Sequence, residues 1–186
     1  MSNKKYALLF ALACSVFAAP AFAAPIALQT ANNLNGNQPW SGVGVKFHVN
    51  APITVSSLGV YDSGLDGILG RTVLSAFLFN GANAVVASQN FAAGDAMSAV
   101  GAYLYKGMAP IVLGVGDYTL MGYGWDSSNM EHNCNMDASP CESFTGSALV
   151  SYLISGWTAT GSDAAGTLPT SFGATNFFSS ANILFE

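Results

Sequence analysis

The chain has 186 residues, 51% hydrophobic and only 8% charged, with ten Asp and Glu against five Lys and Arg and a formal net charge of −5. A chain this acidic repels phosphate backbones, which argues against nucleic-acid binding. With so few charges, Ser, Thr, Asn and Gly must supply most of the polar surface, and little like-charge repulsion opposes self-association.

The N-terminus reads as a leader for Sec export. Lys4 and Lys5 form a positive start, Tyr6 to Ala19 is apolar but too short to span a bilayer, and Ala21-Phe22-Ala23 offers small residues where a signal peptidase reads. Cleavage is expected after Ala23, which makes residues 1–23 a signal peptide and 24–186 one domain. A lipoprotein cut at Cys14 is the alternative, but Ala11 stands where a bulky residue is usual and the preceding apolar run is short. Loss of Lys4 and Lys5 leaves three basic residues and ten acids, a net charge of about −7 (3 minus 10). No later stretch of about 18 apolar residues escapes interruption, so no membrane span is expected. The expected location is extracellular or on the outer cell surface.

Strand signals follow in order. Val43, Val45, Phe47 and Val49 alternate with more polar residues, giving a strand with one apolar face. After Pro52, the stretch Ile53 to Tyr61 changes apolar parity between Val55 and Leu58, which predicts a bulge near Ser56-Ser57. Thr72 to Phe79 is apolar on both faces and reads as a central strand. Asn80-Gly81 signals a hairpin into Ala84 to Phe91. Ala102 to Tyr105 and Ala109 to Leu113 read as two strands or as one broken at Gly107. Tyr118 to Tyr123, Ala148 to Ile154 and Asn182 to Phe185 complete the set. Asp126 to Gly146 and Gly161 to Gly173 read as loops, the first long enough to suggest function. Eight or nine short strands without helical periodicity predict a single antiparallel β-sandwich, jelly-roll or immunoglobulin-like Greek key. Leu113, Gly116 and Tyr118 have the spacing of a tyrosine corner, in which the hydroxyl bonds back to the backbone as the chain changes sheets.

Val45-Lys46-Phe47-His48-Val49, Ile53 to Asp62, the acidic glycine turn to Gly67 and Pro110 to Leu120 occur in order. Together they resemble an uncharacterised β-sandwich ectodomain of bacterial PEP-CTERM-type surface proteins. Asn182-Ile183-Leu184-Phe185 is similar to that domain's last strand. The resemblance runs from Gln38 to Phe185 and implies a fold without a catalytic set. The chain departs from the family by stopping at Glu186, without a Pro-Glu-Pro motif, apolar helix and basic end. Release as a soluble protein is the expectation.

Candidate chemistry is sparse. Beyond the leader, Cys134 and Cys141 are expected to form a disulfide in an oxidising compartment. They are also metal-ligand types, alongside Glu131, His132, Asp137 and Glu142, but a thiolate site would need them reduced. Asp62 and Asp66, four apart in a Gly-rich turn, can begin a calcium cage of carboxylates and carbonyls, or can cap an Asx-turn by accepting backbone N–H groups. Trp125 beside Asp126 is the expected exposed aromatic, a platform for a sugar ring. No Gly-x-Ser-x-Gly and no His-Glu-x-x-His occurs, and His48 and His132 are the only imidazoles. The reading is a non-catalytic domain with a structural or surface-interaction role, its partners polysaccharide, other matrix components or itself. A carbohydrate-binding module is the alternative, and a jelly-roll hydrolase with paired carboxylates is a second.

Overall fold

The computed structural model describes residues 24–70, 72–125, 131–135, 141–173 and 178–186. The expected leader, Cys14, Asp126 and Asp137 lie outside them. The described residues contain no helix, and so none long and apolar enough to cross a membrane.

The described residues form thirteen strands: β1 (Ile26–Ala27), β2 (Gln29–Ala31), β3 (Val43–Val49), β4 (Ile53–Tyr61), β5 (Val73–Asn80), β6 (Val85–Ala92), β7 (Ser98–Val100), β8 (Tyr103–Leu113), β9 (Gly116–Tyr123), β10 (Glu142–Phe144), β11 (Val150–Trp157), β12 (Ser171–Gly173) and β13 (Ala181–Phe185). The expected count of eight or nine is too low. Five of the thirteen span only two or three residues, and β10 and β12 fall inside stretches read as loops. Pairs this short carry no alternation that a sequence pattern can register. Of the two readings around Gly107, the single strand is the one found, as β8 runs through Gly107 for eleven residues.

Two larger sheets, ordered β1-β13-β4-β8-β7 and β12-β11-β3-β9-β5-β6, and a small β10-β2 pair account for all thirteen. Every pairing between strands is antiparallel. The larger sheets share one core. Val45, Phe47, Leu74, Leu78 and Leu120 come from the six-stranded sheet, and Val55, Leu58, Val60, Ile183 and Phe185 from the five-stranded one. Full burial of side chains such as Phe47 or Phe185 contributes about 1.5–3 kcal/mol each.

Local chemistry explains the register. In β4, Leu184 opposes Ser57 while Phe185 opposes Val55, so Ser56 is the extra residue of a bulge. The bulge lets both Val55 and Leu58 face the core. The turn after β5 is longer than Asn-Gly implies. Gly81 to Ala84 form it, Asn83 takes the left-handed conformation (φ 63°), and the Asn80 side chain accepts the N–H groups of Ala82 and Ala84 at 3.0 Å. At the other end of the sheets, Gly122 leaves room for the Trp125 ring. A Cβ there would lie 2.6 Å from Trp125 Cζ3 and 3.1 Å from Ala181 N. That packing brings the end of β9 to the start of β13, so the loops after β4 and β9 share one end of the molecule.

Candidate functional site

The loop after β4 is built around carboxylates. Asp62, 4% exposed, accepts the Gly67 N–H on both oxygens at 3.2 Å. Asp66 is exposed on the same loop. Gly64 (φ 91°) and Leu65 (φ 62°) both take left-handed backbone, and at Leu65 that carries strain because its Cβ crowds the chain. The segment before Asn37 braces the loop, with Leu34 accepting the Gly64 N–H at 2.7 Å and Ser63 Oγ accepting the Gly36 N–H at 2.9 Å.

Glu131 enters from the segment after β9. It is fully buried, and its Oε1 accepts the Leu69 N–H at 3.0 Å. Oε2 is enclosed and meets no donor at hydrogen-bonding geometry. Burial pushes the Glu131 carboxyl above the usual range, and Asp62 and Asp66 push it further, while the Leu69 and Ser63 N–H groups pull it back. Burial likewise raises Asp62, with the Gly67 N–H opposing and Asp66 adding to the rise. Asp62 thus caps the loop through an N–H five residues on, a longer reach than the two residues of an Asx-turn. Among the described residues, no three His, Cys, Asp or Glu side chains are grouped to hold a metal ion by themselves.

Behind Glu131, Cys134 and Cys141 lie within disulfide-bonding distance, with Cα atoms 5.7 Å apart and both residues fully buried. Ser179 ties down both: its N–H donates to Cys134 O at 3.1 Å and its hydroxyl to Cys141 O at 3.2 Å. Glu142 follows directly and is also buried. It accepts the Tyr103 hydroxyl, and desolvation holds its carboxyl well above the usual range although Tyr103 and Ser179 draw it down.

The expected sugar platform is corrected here. Trp125 is 0% exposed, because Gly122 offers a side-chain-free seat for its ring. Its proposed companion Asp126 is outside the described residues. The concave surface near Trp125 is instead a cavity of about 210 Å³, lined by Ser41, Ser75, Tyr123, Ser162 and Asp163 among others. Ser41 Oγ donates to Asp163 O at 3.2 Å and accepts the Gly124 N–H at 3.1 Å. A Thr158 side-chain bond holds the Asp163 carboxyl below the usual range, helped by Thr160, whose N and Oγ1 donate to Asp163 Oδ2. Among the described residues Asp163 is the one carboxylate on that lining, so they present no facing pair of the kind glycoside hydrolysis uses.

The remaining candidates lie on strands. The Tyr118 hydroxyl donates to Gly114 O at 3.1 Å, where the chain passes from Leu113 in the five-stranded sheet to Gly116 in the six-stranded one. His48 Nδ1 lies 2.7 Å from Asp117, which also meets Lys46 at 3.8 Å, so this imidazole sits in a surface charge cluster on neighbouring strands.

β6 is the outer strand of the six-stranded sheet. Val85-Val86-Ala87-Ser88-Gln89-Asn90-Phe91-Ala92 carries no charge, and Val85 is half exposed. The C-terminal half of this edge is covered. Asp95 accepts the Ala92 N–H at 2.8 Å, Lys106 Nζ donates to Asn90 O at 2.8 Å, and the two side chains pair at 3.1 Å. Val86 is the extra residue of a bulge opposite Leu78 and Phe79, and the outward backbone groups of Ser88 have no partner among the described residues.

The chain matches no protein-family model, no curated protein and no solved structure. The sequence reading missed the Asp163 cavity and the Asp95–Lys106 cap, since neither has a linear motif. Glu131 and Glu142 carried a weak signal, as two acids flanking the cysteines in a chain poor in charge.

Proposed function

We propose that the chain is a secreted, non-catalytic β-sandwich domain similar to PEP-CTERM-type surface ectodomains, working by surface contact in a structural or matrix role. Two sheets around one core, with a crossing at Leu113–Gly116 backed by the Tyr118 hydroxyl, favour a Greek-key sandwich.

The observation that carries the contact role is the uncharged, half-open edge of β6. An unpaired strand edge is a template for another strand, and charged side chains are the usual means of blunting it. The Lys106–Asp95 pair blunts only the Asn90–Ala92 half. The partner that fits is a second copy. Most surfaces of so acidic a chain repel one another, whereas β6 brings no charge to the contact. Two β6 strands related by a two-fold axis pair antiparallel and satisfy each other's free groups.

Sedimentation velocity at rising protein concentration tests this. A reversible monomer–dimer equilibrium is expected, and Ser88→Lys should weaken it about tenfold, equivalent to about 1.4 kcal/mol. A monomer at every concentration would remove the reading.

A specific observation favours carbohydrate binding as a second reading. The Ser41, Ser75, Tyr123, Ser162 and Asp163 cavity has hydroxyls, a carboxylate and an aromatic ring around a volume of monosaccharide scale. Glycan-array binding that Asp163→Asn abolishes would support it, and a blank array would count against it.

A further inference from the structure

We propose that the loop after β4 and Glu131 together form a site for one calcium ion, with Asp62 and Glu131 as its inner carboxylates and Asp66 as its outer one. The inference is independent of the contact role proposed for β6.

The geometry starts from backbone bonds. Asp62 holds the Gly67 N–H and Glu131 holds the Leu69 N–H, two residues along the same loop. Both carboxylates are therefore fixed against one short piece of chain, and Asp66 immediately precedes it in sequence. Glu131 is fully buried, and while Oε1 accepts the Leu69 N–H, Oε2 has no donor at hydrogen-bonding geometry, the Ser63 N–H being close enough only to draw the carboxyl down. An enclosed carboxylate oxygen without a donor costs free energy unless something positive meets it. The described lysines do not: Lys46 is at Asp117 and Lys106 at Asp95, both on strands.

Calcium suits what is there. Hard cations of this size take six to eight oxygens, with backbone carbonyls as readily as carboxylates, and tolerate irregular geometry. Three convergent carboxylates are not required. The carbonyls of Ser63 to Ile68 receive no hydrogen bond from the described residues, so the loop has further oxygens to offer. Its left-handed residues at Gly64, Leu65 and Gly67 curl the chain tightly. Magnesium, which demands near-octahedral geometry and keeps its waters, fits so irregular a set less well.

The experiment uses the folded chain with calcium chloride, EDTA or terbium chloride as probes. Extracellular calcium modules half-saturate at about 10⁻⁴–10⁻³ M. Above that point each tenfold rise in calcium should lift Tm by about 3–5 °C. Terbium should give sensitised luminescence that calcium displaces. Glu131→Gln should remove both responses. Asp66→Asn, an exposed change that leaves the loop's backbone bonds in place, should weaken binding several-fold and serves if Glu131→Gln does not fold. Identical melts in calcium and EDTA, or a calcium response that survives in both variants, would overturn the site.

Discussion

Glu142 shows how much a single position can hide. Its carboxyl lies among the Tyr61, Tyr103 and Tyr105 side chains, whose hydroxyls it pushes upward, and burial drives its own titration in the same direction. In an unfolded chain the group ionises near about pH 4.3. The folded protein keeps the proton to higher pH, so this stabilisation is complete below the unfolded pKa and is lost as pH rises toward the folded one. Glu142→Gln keeps an acceptor for Tyr103 without a charge to desolvate. In urea unfolding, the variant should lose distinctly less stability than the parent between pH 5 and 8. Parallel pH profiles would show that Glu142 ionises freely in the fold. Asp62 and Glu131 are shifted in the same direction and remain in the variant, so a residual slope of the same sign is expected. None of this was legible in the sequence. A Glu beside a Cys reads as a surface residue or a metal ligand, and only the placement of Tyr103 and Ser179, far along the chain, turns it into a core group. Trp125 failed for the same reason: its exposure depends on the missing side chain of Gly122, not on its neighbour Asp126.

At the scale of elements, legibility tracked length and alternation. β3 announced itself because Val43, Val45, Phe47 and Val49 are all buried on one face, and the bulge in β4 was visible as a change of parity. β10 and β12 were invisible, being three residues each and held by partners distant in sequence. The cysteines paired legibly, since two Cys seven apart beyond the expected leader have few other fates. Their contribution can be measured. Closing so short a loop limits the unfolded chain modestly, about 2–3 kcal/mol in the chain-entropy model. The Cys134→Ser, Cys141→Ser double variant should therefore unfold at a lower urea midpoint while retaining the strand signature in far-ultraviolet circular dichroism. Collapse of that signature would mean that the bond holds the domain together as well as pinning its loop. The same segment carries Glu131 and Glu142, so loosening it should also flatten the pH profile described for Glu142.

For the whole molecule, the strand order matters more than any one contact. The five residues of β13 lie between β1 and β4, not at the rim of their sheet. Side-chain bonds fasten them to the first strands: Gln29 N–H donates to Asn182 Oδ1 at 3.1 Å and Asn182 Nδ2 to Gln29 O at 2.7 Å, across 153 positions of sequence. Nucleation that depends on such distant segments is slow, on the order of milliseconds to seconds for all-β chains. A chain cut before Ala181 would leave β1 and β4 facing an empty slot, and it should remain protease-sensitive. A cut chain as protease-resistant as the intact one would contradict this. On the export route proposed here, the delay acts as a safeguard. While β13 is still behind the translocon, the emerging chain cannot lock, so it stays threadable until the last strand arrives to close the sheet on the far side of the membrane.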